Sequence, residues 1–487
     1  MAKIGIIGAG IAGLAAAVRM AVRGHEVDVF EAGAGPGGKL TEFSLGDYRF
    51  DLGPSLFTMP QYVDELFRLA GEDPRDHFRY QRLPVICHYF WEDGTRLRAH
   101  AEAGAFAEEV ERQLAVPTER VQAMLADAER KYHLTGRTFL EKSLHRLSTW
   151  TNADVLKAML RIPGLDLFRS MNAVHERELG DPKLVQLFNR FATYNGSNPY
   201  KAPGLLTIIP HFEHHYGAYL PEGGMYAISQ SIHGLAERLG VRFHFNTRVD
   251  EIVVTNGRAS GLRIGAEVQA FDRIISNMDV FFTYRRLLPR QPQPERILRQ
   301  QKSTSAMIFY WGIRREFPEL GVHNIFFSED YRREFAALEA GTLFEDPTVY
   351  VNLTSRHVPG DAPPGGENWF VMINAPFQAG QDWAELARLT RERTLAKLRR
   401  ILGVDVEALI EEEYTLDPTG IENRTGSHLG ALYGTSSNSP MAAFLRHPNF
   451  SRRLRDLYFV GGSVHPGGGI PLCLLSARIT DEVMHDH

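Results

Sequence analysis

Six residues constrain the chain more than any others: Gly8-Ala9-Gly10-Ile11-Ala12-Gly13, directly after the apolar run of residues 3–7. An apolar run, three glycines at this spacing and a small-residue stretch to about Arg23 predict a strand, a tight turn and a helix. Gly24 ends the helix, and residues 26–30 (EVDVF) predict a second strand that closes on Glu31. That acid stands about 20 residues past the loop, where a carboxylate binds ribose hydroxyls. Gly8 makes the tight turn, Gly10 lets a pyrophosphate approach the backbone, and Gly13 lets the helix lie close on the strand. Ala9 and Ala12 belong to the same cradle. The order predicts a dinucleotide site on a Rossmann-like unit. Lys3 ahead of small apolar residues is also how a secretion signal begins; the glycine register assigns this stretch to the fold instead.

A second glycine-rich stretch, GGSVHPGGGIPLCLLSA at residues 461–477, lies almost a full chain length away. Residues 457–460 (LYFV) predict a buried strand, so Gly461-Gly462 begins the turn at its carboxyl end, where ligands of open parallel sheets bind. Ile470-Pro471-Leu472 starts a helix, with Pro471 suited to its first turn. Between the two ends come Pro36-Gly37-Gly38-Lys39, the turn Phe50-Asp51-Leu52-Gly53-Pro54-Ser55, and YLPEGGMY at 219–226 ahead of a helix running to about Leu239. Val241, Phe243 and Phe245 alternate with polar residues as a strand, Asn256-Gly257 marks a hairpin, and residues 272–277 predict a strand returning to the central sheet.

This order, GxGxxG, an acid, GG-K and D-x-G-P, resembles the flavin-dependent amine oxidase and phytoene desaturase superfamily. Over its whole length the chain is similar to the bacterial carotenoid desaturases. The closing motif and Tyr194 to Pro203 (YNGSNPYKAP) resemble the branch that forms the 3,4 double bond in hydroxylated or methoxylated carotenoids. The resemblance implies FAD, held by Gly8, Ala9, Gly10, Ala12, Gly13, Glu31, Gly38, Lys39, Gly53, Pro54, Ser55, Val249, Gly462, Gly469, Ile470 and Pro471, with Val249 at the adenine end. The first loop then holds the pyrophosphate and the second the flavin ring, which disfavours a simple NAD-dependent dehydrogenase. The implied fold is α/β: a discontinuous Rossmann-like FAD-binding domain (1–95, 220–290 and 430–487). An inserted α+β substrate-binding domain with a helical segment takes up 96–219 and 291–429. The implied reaction passes a hydride from an allylic carbon to flavin N5 and a proton from its neighbour, leaving a double bond. His465 is the candidate to accept that proton or orient the substrate; a histidine bonded to loop backbone is the alternative.

The implied partners are a lipophilic carotenoid, a membrane surface, and oxygen or a quinone as electron acceptor, which places the protein in the cytoplasm on the inner face of the cell membrane. Rival readings on the same scaffold are a phytoene desaturase, a carotenoid isomerase or saturase, and a flavin-free prenyl-lipid carrier. An amine oxidase is disfavoured, since no tryptophan or tyrosine pair flanks the final loop. The 487 residues predict two or three domains. A net charge of −5 leaves nothing global to attract nucleic acid. Two unpaired cysteines, Cys87 and Cys473, suit a reducing compartment. No stretch reaches the roughly 18 apolar residues of a membrane span.

Residues 95–200 read as mostly helical, with Val121, Met124, Leu125, Ala128 and Tyr132 on one core-facing stripe. Residues 155–174 pair apolar side chains with Lys157, Arg161 and Arg169, a pattern suited to a lipid surface or to internal packing. The run Arg388, Arg391, Arg393, Lys397, Arg399 and Arg400 reads as a solvated helix face, with anionic lipid as the alternative. His211, His214 and His215 lack a carboxylate motif beside them, so no metal is expected there. They are assigned instead to the lining of the substrate cavity.

Overall fold

The computed structural model describes residues 1–150, 162–439 and 441–485. A five-stranded parallel sheet runs in the spatial order Arg242–His244, Glu26–Phe30, Lys3–Ile7, Arg273–Ser276, Leu457–Phe459. Its strands come from three distant stretches of chain, as a discontinuous domain requires. Ile4 and Ile6 sit in register with Val27 and Val29 on one side, and with Arg273 and Ile275 on the other. Parallel strands are covered on both faces, so they read as apolar runs rather than alternating ones. One face is covered by the helices Ile11–Val22, Tyr226–Arg238 and Ile470–His485. Ala15, Ala16 and Ala17 are fully buried there, and their small side chains let the first and last helices pack together. A small antiparallel sheet, Glu251–Thr255, Arg258–Ile264 and Glu267–Ala270, covers the other face. Its first hairpin turns at Asn256 (φ +53°) and Gly257 (φ +71°), the backbone that Asn-Gly favours.

The second unit is a seven-stranded sheet in the order Ile410–Leu416, Ser305–Ile313, Glu367–Ala375, Val349–Leu353, His323–Phe326, Val85–Phe90, Arg96–His100. Here the expected boundary at residue 95 is corrected. Val85–Phe90 pairs with His323–Phe326 and with Arg96–His100, so the chain has entered the second sheet by Val85. Hydrophobic pattern cannot tell which sheet a strand joins, because its partner here lies more than 200 positions away.

The helical segment packs Ala103–Leu114, Thr118–Phe139, Met171–Leu179, Pro182–Asn189 and Ile209–His214 around a core shared with the strands Val85–Phe90, Arg96–His100 and His323–Phe326. Val121, Met124, Leu125, Ala128 and Tyr132 are all buried, as their spacing implies. Asp181 caps one helix, accepting from the Leu184 amide at 2.9 Å, with Pro182 in its first turn. Of the stretch 155–174, residues 155–161 lie outside the described residues. In the remainder Phe168 is 90% exposed. Most of the basic helical run is paired within the molecule: Arg388 with Glu385 and Glu392, Arg391 with Glu407 and Glu413, Lys397 with Asp346, Arg400 with Glu92. Lys397 is fully buried, where it also donates to Phe327 O at 2.9 Å, and so leaves the expected solvated face; the paired arginines favour that face over a lipid contact.

His175 supplies a test of this core. Its ring is fully buried, with Nδ1 donating to Asn189 Oδ1 at 2.8 Å and Nε2 unpartnered. Burial pushes its pKa from 6.5 down to about 4. The unfolded chain therefore takes up this proton more readily than the folded one, and stability is lost as pH falls from 6.5 towards 4. His175→Asn keeps a donor near Nδ1 and removes the titration. Between pH 8 and pH 5 the variant is expected to lose about 2 kcal/mol less stability than the parent in urea melts.

Candidate active site

The two glycine-rich segments meet at one cavity of 1210 Å³. That exceeds the roughly 300–1,000 Å³ of a pocket for one small ligand, so it has room for a cofactor and a substrate together. Gly8, Gly10, Ala12, Glu31, Gly38, Lys39, Gly53, Pro54, Ser55, Val249, Gly462, Gly469, Ile470 and Pro471 all line it. Ala9 and Gly13 stand behind this lining and shape it. The Ala9 amide donates to Glu31 Oε2 at 2.8 Å, and the Gly33 amide to Glu31 Oε1 at 2.7 Å, which holds the carboxylate at the carboxyl end of its strand. The Gly13 amide donates to Asn277 Oδ1 at 3.1 Å, and Asn277 Nδ2 donates to Val460 O at 3.2 Å. Asn277 thus ties the first glycine loop to the strand end that opens the second.

The residues present fit FAD. The helix Ile11–Val22 begins at Gly10, which offers no capping side chain, with no acid in its first turn; Asn277 takes the Gly13 amide, and the remaining first-turn amides and positive dipole end suit a pyrophosphate. Gly37 donates to Ala9 O at 2.9 Å, and a Cβ on Gly38 would stand 3.2 Å from Gly10 Cα, so the second turn lies against the first. At the other end Gly469 has φ +112°, and a Cβ there would meet nothing within 4 Å: its backbone faces open cavity, as a flat ring stacked on it needs. The helix Ile470–His485 starts beside it with no acid in its first turn.

Charge at this end is positive. Burial holds the Lys39 ammonium below its usual range against the opposing pull of Asp279, and Lys39 Nζ donates to Leu432 O at 3.0 Å. Arg446 is 3% exposed and has no carboxylate partner among the described residues; it donates to Thr435 O (2.9 Å) and Ser437 Oγ (3.2 Å). Burial alone takes its pKa down to about 10. A buried cation without a counter-ion is costly, and it suits a site that accumulates negative charge.

Beyond the glycine loops the cavity is walled by apolar residues of the seven-stranded sheet and the helical segment, among them Ile308, Ile325, Phe370, Met372, Ile209 and Phe212. A buried polar cluster around Arg190 interrupts that wall. Arg190 donates to Tyr89 Oη (2.7 Å) and Tyr194 Oη (2.8 Å) and lies 3.5 Å from Glu213, which Tyr194 also contacts. Burial raises the Glu213 pKa while Arg190 pulls it down. Beside Tyr194, Asn195 lines the cavity, and its buried Oδ1 has no hydrogen-bond donor.

Two expectations are corrected. His465 does not line the cavity: it is 1% exposed, its Nε2 donates to Lys142 O at 2.9 Å, and its amide donates to His447 O. Burial pushes its pKa down to about 3, so the ring, set behind the cavity lining, is neutral and a weak base. Its position is the backbone-bonded alternative. Nor do His211, His214 and His215 line the substrate cavity; Phe212 and Glu213 do. His214 instead stacks on Phe106 with ring centroids 4.6 Å apart. Sequence reasoning missed Asn277, Arg446, Arg190 and Glu213. Only Asn277 had a signal, as the residue that ends the returning strand.

The family model for flavin containing amine oxidoreductase matches residues 11–480. The 1-hydroxycarotenoid 3,4-desaturase of Flavobacterium sp. (strain P99-3) is 49% identical over 485 residues, 99% of each chain. The 4,4'-diapolycopene oxygenase of Methylomonas sp is 32% identical over 99% of this chain and 98% of its own. Among solved structures, an oxidoreductase from Methanosarcina mazei superposes with a TM-score of 0.64 at 16% identity over all of both chains, a likeness of fold.

Proposed function

The chain belongs to the flavin-containing amine oxidoreductase family, and from that premise we propose that it is an FAD-dependent carotenoid desaturase. It introduces a double bond, at the 3,4 position, into a hydroxylated acyclic carotenoid. One observation carries this: a single cavity of 1210 Å³ joins the two glycine-rich segments to a largely apolar space whose wall holds a small buried polar cluster. A rod-like hydrocarbon with one polar end matches that distribution. The similarity to the Flavobacterium enzyme supports the same substrate class.

In the reaction a hydride leaves one carbon, the neighbouring carbon loses a proton, and the electron pair of that second C–H bond becomes the new π bond. FAD, when bound, accepts the hydride and passes the two electrons on, to oxygen or a quinone. The chain's own part is positioning and electrostatics. Ile308, Phe370 and Met372 align the polyene and exclude water. Asn195 and Tyr194 receive the polar end. Lys39, Arg446 and the amino end of helix Ile470–His485 face the region where negative charge develops. The positive charge left on the substrate spreads along the conjugated chain, so no strong base is needed, in keeping with the placement of His465. No helix among the described residues is long and apolar enough to cross a membrane. The exposed Phe168 supports a peripheral contact with the inner face of the cell membrane, from which the substrate enters.

The test incubates FAD-loaded protein with a 1-hydroxylated acyclic carotenoid and an electron acceptor, and reads product mass and absorbance. A product lighter by two hydrogens and shifted to longer wavelength is expected. An isomer of unchanged mass, or a heavier product, would establish the isomerase or saturase instead. A full-length protein that binds carotenoid but no flavin would establish the carrier.

A further inference from the structure

We propose that Glu129, His211 and His215, with His133 beside them, bind one divalent metal ion of the zinc type, outside the flavin and substrate cavity. The long helix Thr118–Phe139 carries Glu129 and His133 one turn apart. His211 and His215 are likewise one turn apart on helix Ile209–His214 and its C-cap residue. The two helices pack against each other, so two pairs of ligand-type side chains face one another.

One ligand atom from each of Glu129, His211 and His215 lies within 4.8 Å of the other two. Glu129 Oε1 is 3.8 Å from His215 Nδ1 and 3.6 Å from His133 Nε2. Metal–ligand bonds of about 2.0–2.2 Å put tetrahedral neighbours roughly 3.4 Å apart, so small side-chain rotations close the set. His211 is 3% exposed and its Nε2 has no hydrogen-bond partner. The His211 and His215 rings stack with centroids 4.4 Å apart. Three histidines and one carboxylate are a borderline donor set that suits zinc over calcium or magnesium, which take oxygen ligands.

The side chains of Glu129, His133 and His215 are about half exposed, which gives an ion a way in. His133 also borders a separate cavity of 380 Å³ lined by Tyr62, Tyr132 and Tyr216. On the opposite side of the short helix, Phe212 and Glu213 line the main cavity. An ion bound here would clamp a wall of the substrate tunnel to the long helix without entering it.

The experiment titrates zinc chloride into chelator-treated, FAD-loaded full-length protein by calorimetry and repeats it with His215→Ala and Glu129→Gln. Both residues are half exposed, so both variants are expected to fold and keep their flavin. One saturable equivalent in the parent, weakened at least about tenfold in each variant, is expected, with a zinc-dependent rise in Tm in the parent alone. Absence of a saturable equivalent, or binding that both variants retain in full, would overturn the proposal.

Discussion

Gly13→Ala is expected to yield a protein that emerges from purification without flavin. The added Cβ would stand 2.1 Å from Gly8 O and 3.0 Å from Asn277 Oδ1. The nearer atom is backbone, so no rotamer change relieves the clash. Helix Ile11–Val22 has to move off its strand, which carries the amino end that receives the pyrophosphate with it. The hydrogen bond that the Gly13 amide donates to Asn277 Oδ1 is lost in the same step, and with it the tie between the two glycine segments. Overpacking of this kind costs about 1–3 kcal/mol on its own; the stabilisation that bound cofactor provides is lost in addition. The comparison variant is Gly234→Ala, inside helix Tyr226–Arg238, where a Cβ meets only the tip of Arg238 at 3.5 Å. It should keep its flavin and gain about 1 kcal/mol from helix propensity. Flavin absorbance per protein and a urea melt measure both. A yellow Gly13→Ala protein with parental affinity would refute the cradle described here.

Asn195→Leu is expected to invert the substrate preference. The leucine is close in size and removes a buried acceptor that lacks a donor. A substrate hydroxyl held against leucine stays unpaired, at about 1–3 kcal/mol, or roughly 5- to 150-fold in kcat/KM. The corresponding carotenoid without the hydroxyl makes no such bond and loses nothing. The ratio of the two kcat/KM values is therefore the readout. An equal fall for both substrates would show that Asn195 only supports the wall.

The glycine loops were legible because they are local. Gly8 (φ +94°) and Gly53 (φ +95°) hold a backbone conformation that other residues rarely adopt, so each position favours glycine whatever surrounds it. The strands Lys3–Ile7 and Glu26–Phe30 were equally plain, since Gly8 follows the first directly and Gly24 ends the helix before the second. Helix phase was legible in the stripe of Thr118–Phe139 and not in the short helix Ile209–His214. Along Ile209–His214 each residue turns about 100° from the last, and the run HFEHH offers polar and aromatic groups on every side. Packing on Thr118–Phe139 turned Phe212 and Glu213 to the tunnel and left the histidines to the neighbouring helix. His465 misled for a related reason: it sits in a loop whose backbone faces the cavity, while its ring is drawn to the Lys142 carbonyl, 323 residues earlier.

Sequence alone determined the glycine turns and the strand–turn–helix segments at the glycine-rich end of the cavity, because glycine spacing and strand–turn–helix order are conditions each segment meets by itself. Tertiary structure decided which side chains meet the substrate, where the second sheet begins and how Glu129 came to stand by His211. Those outcomes depend on hydrogen bonds and packing between residues far apart in the chain, and no local pattern encodes which distant partner a side chain will find.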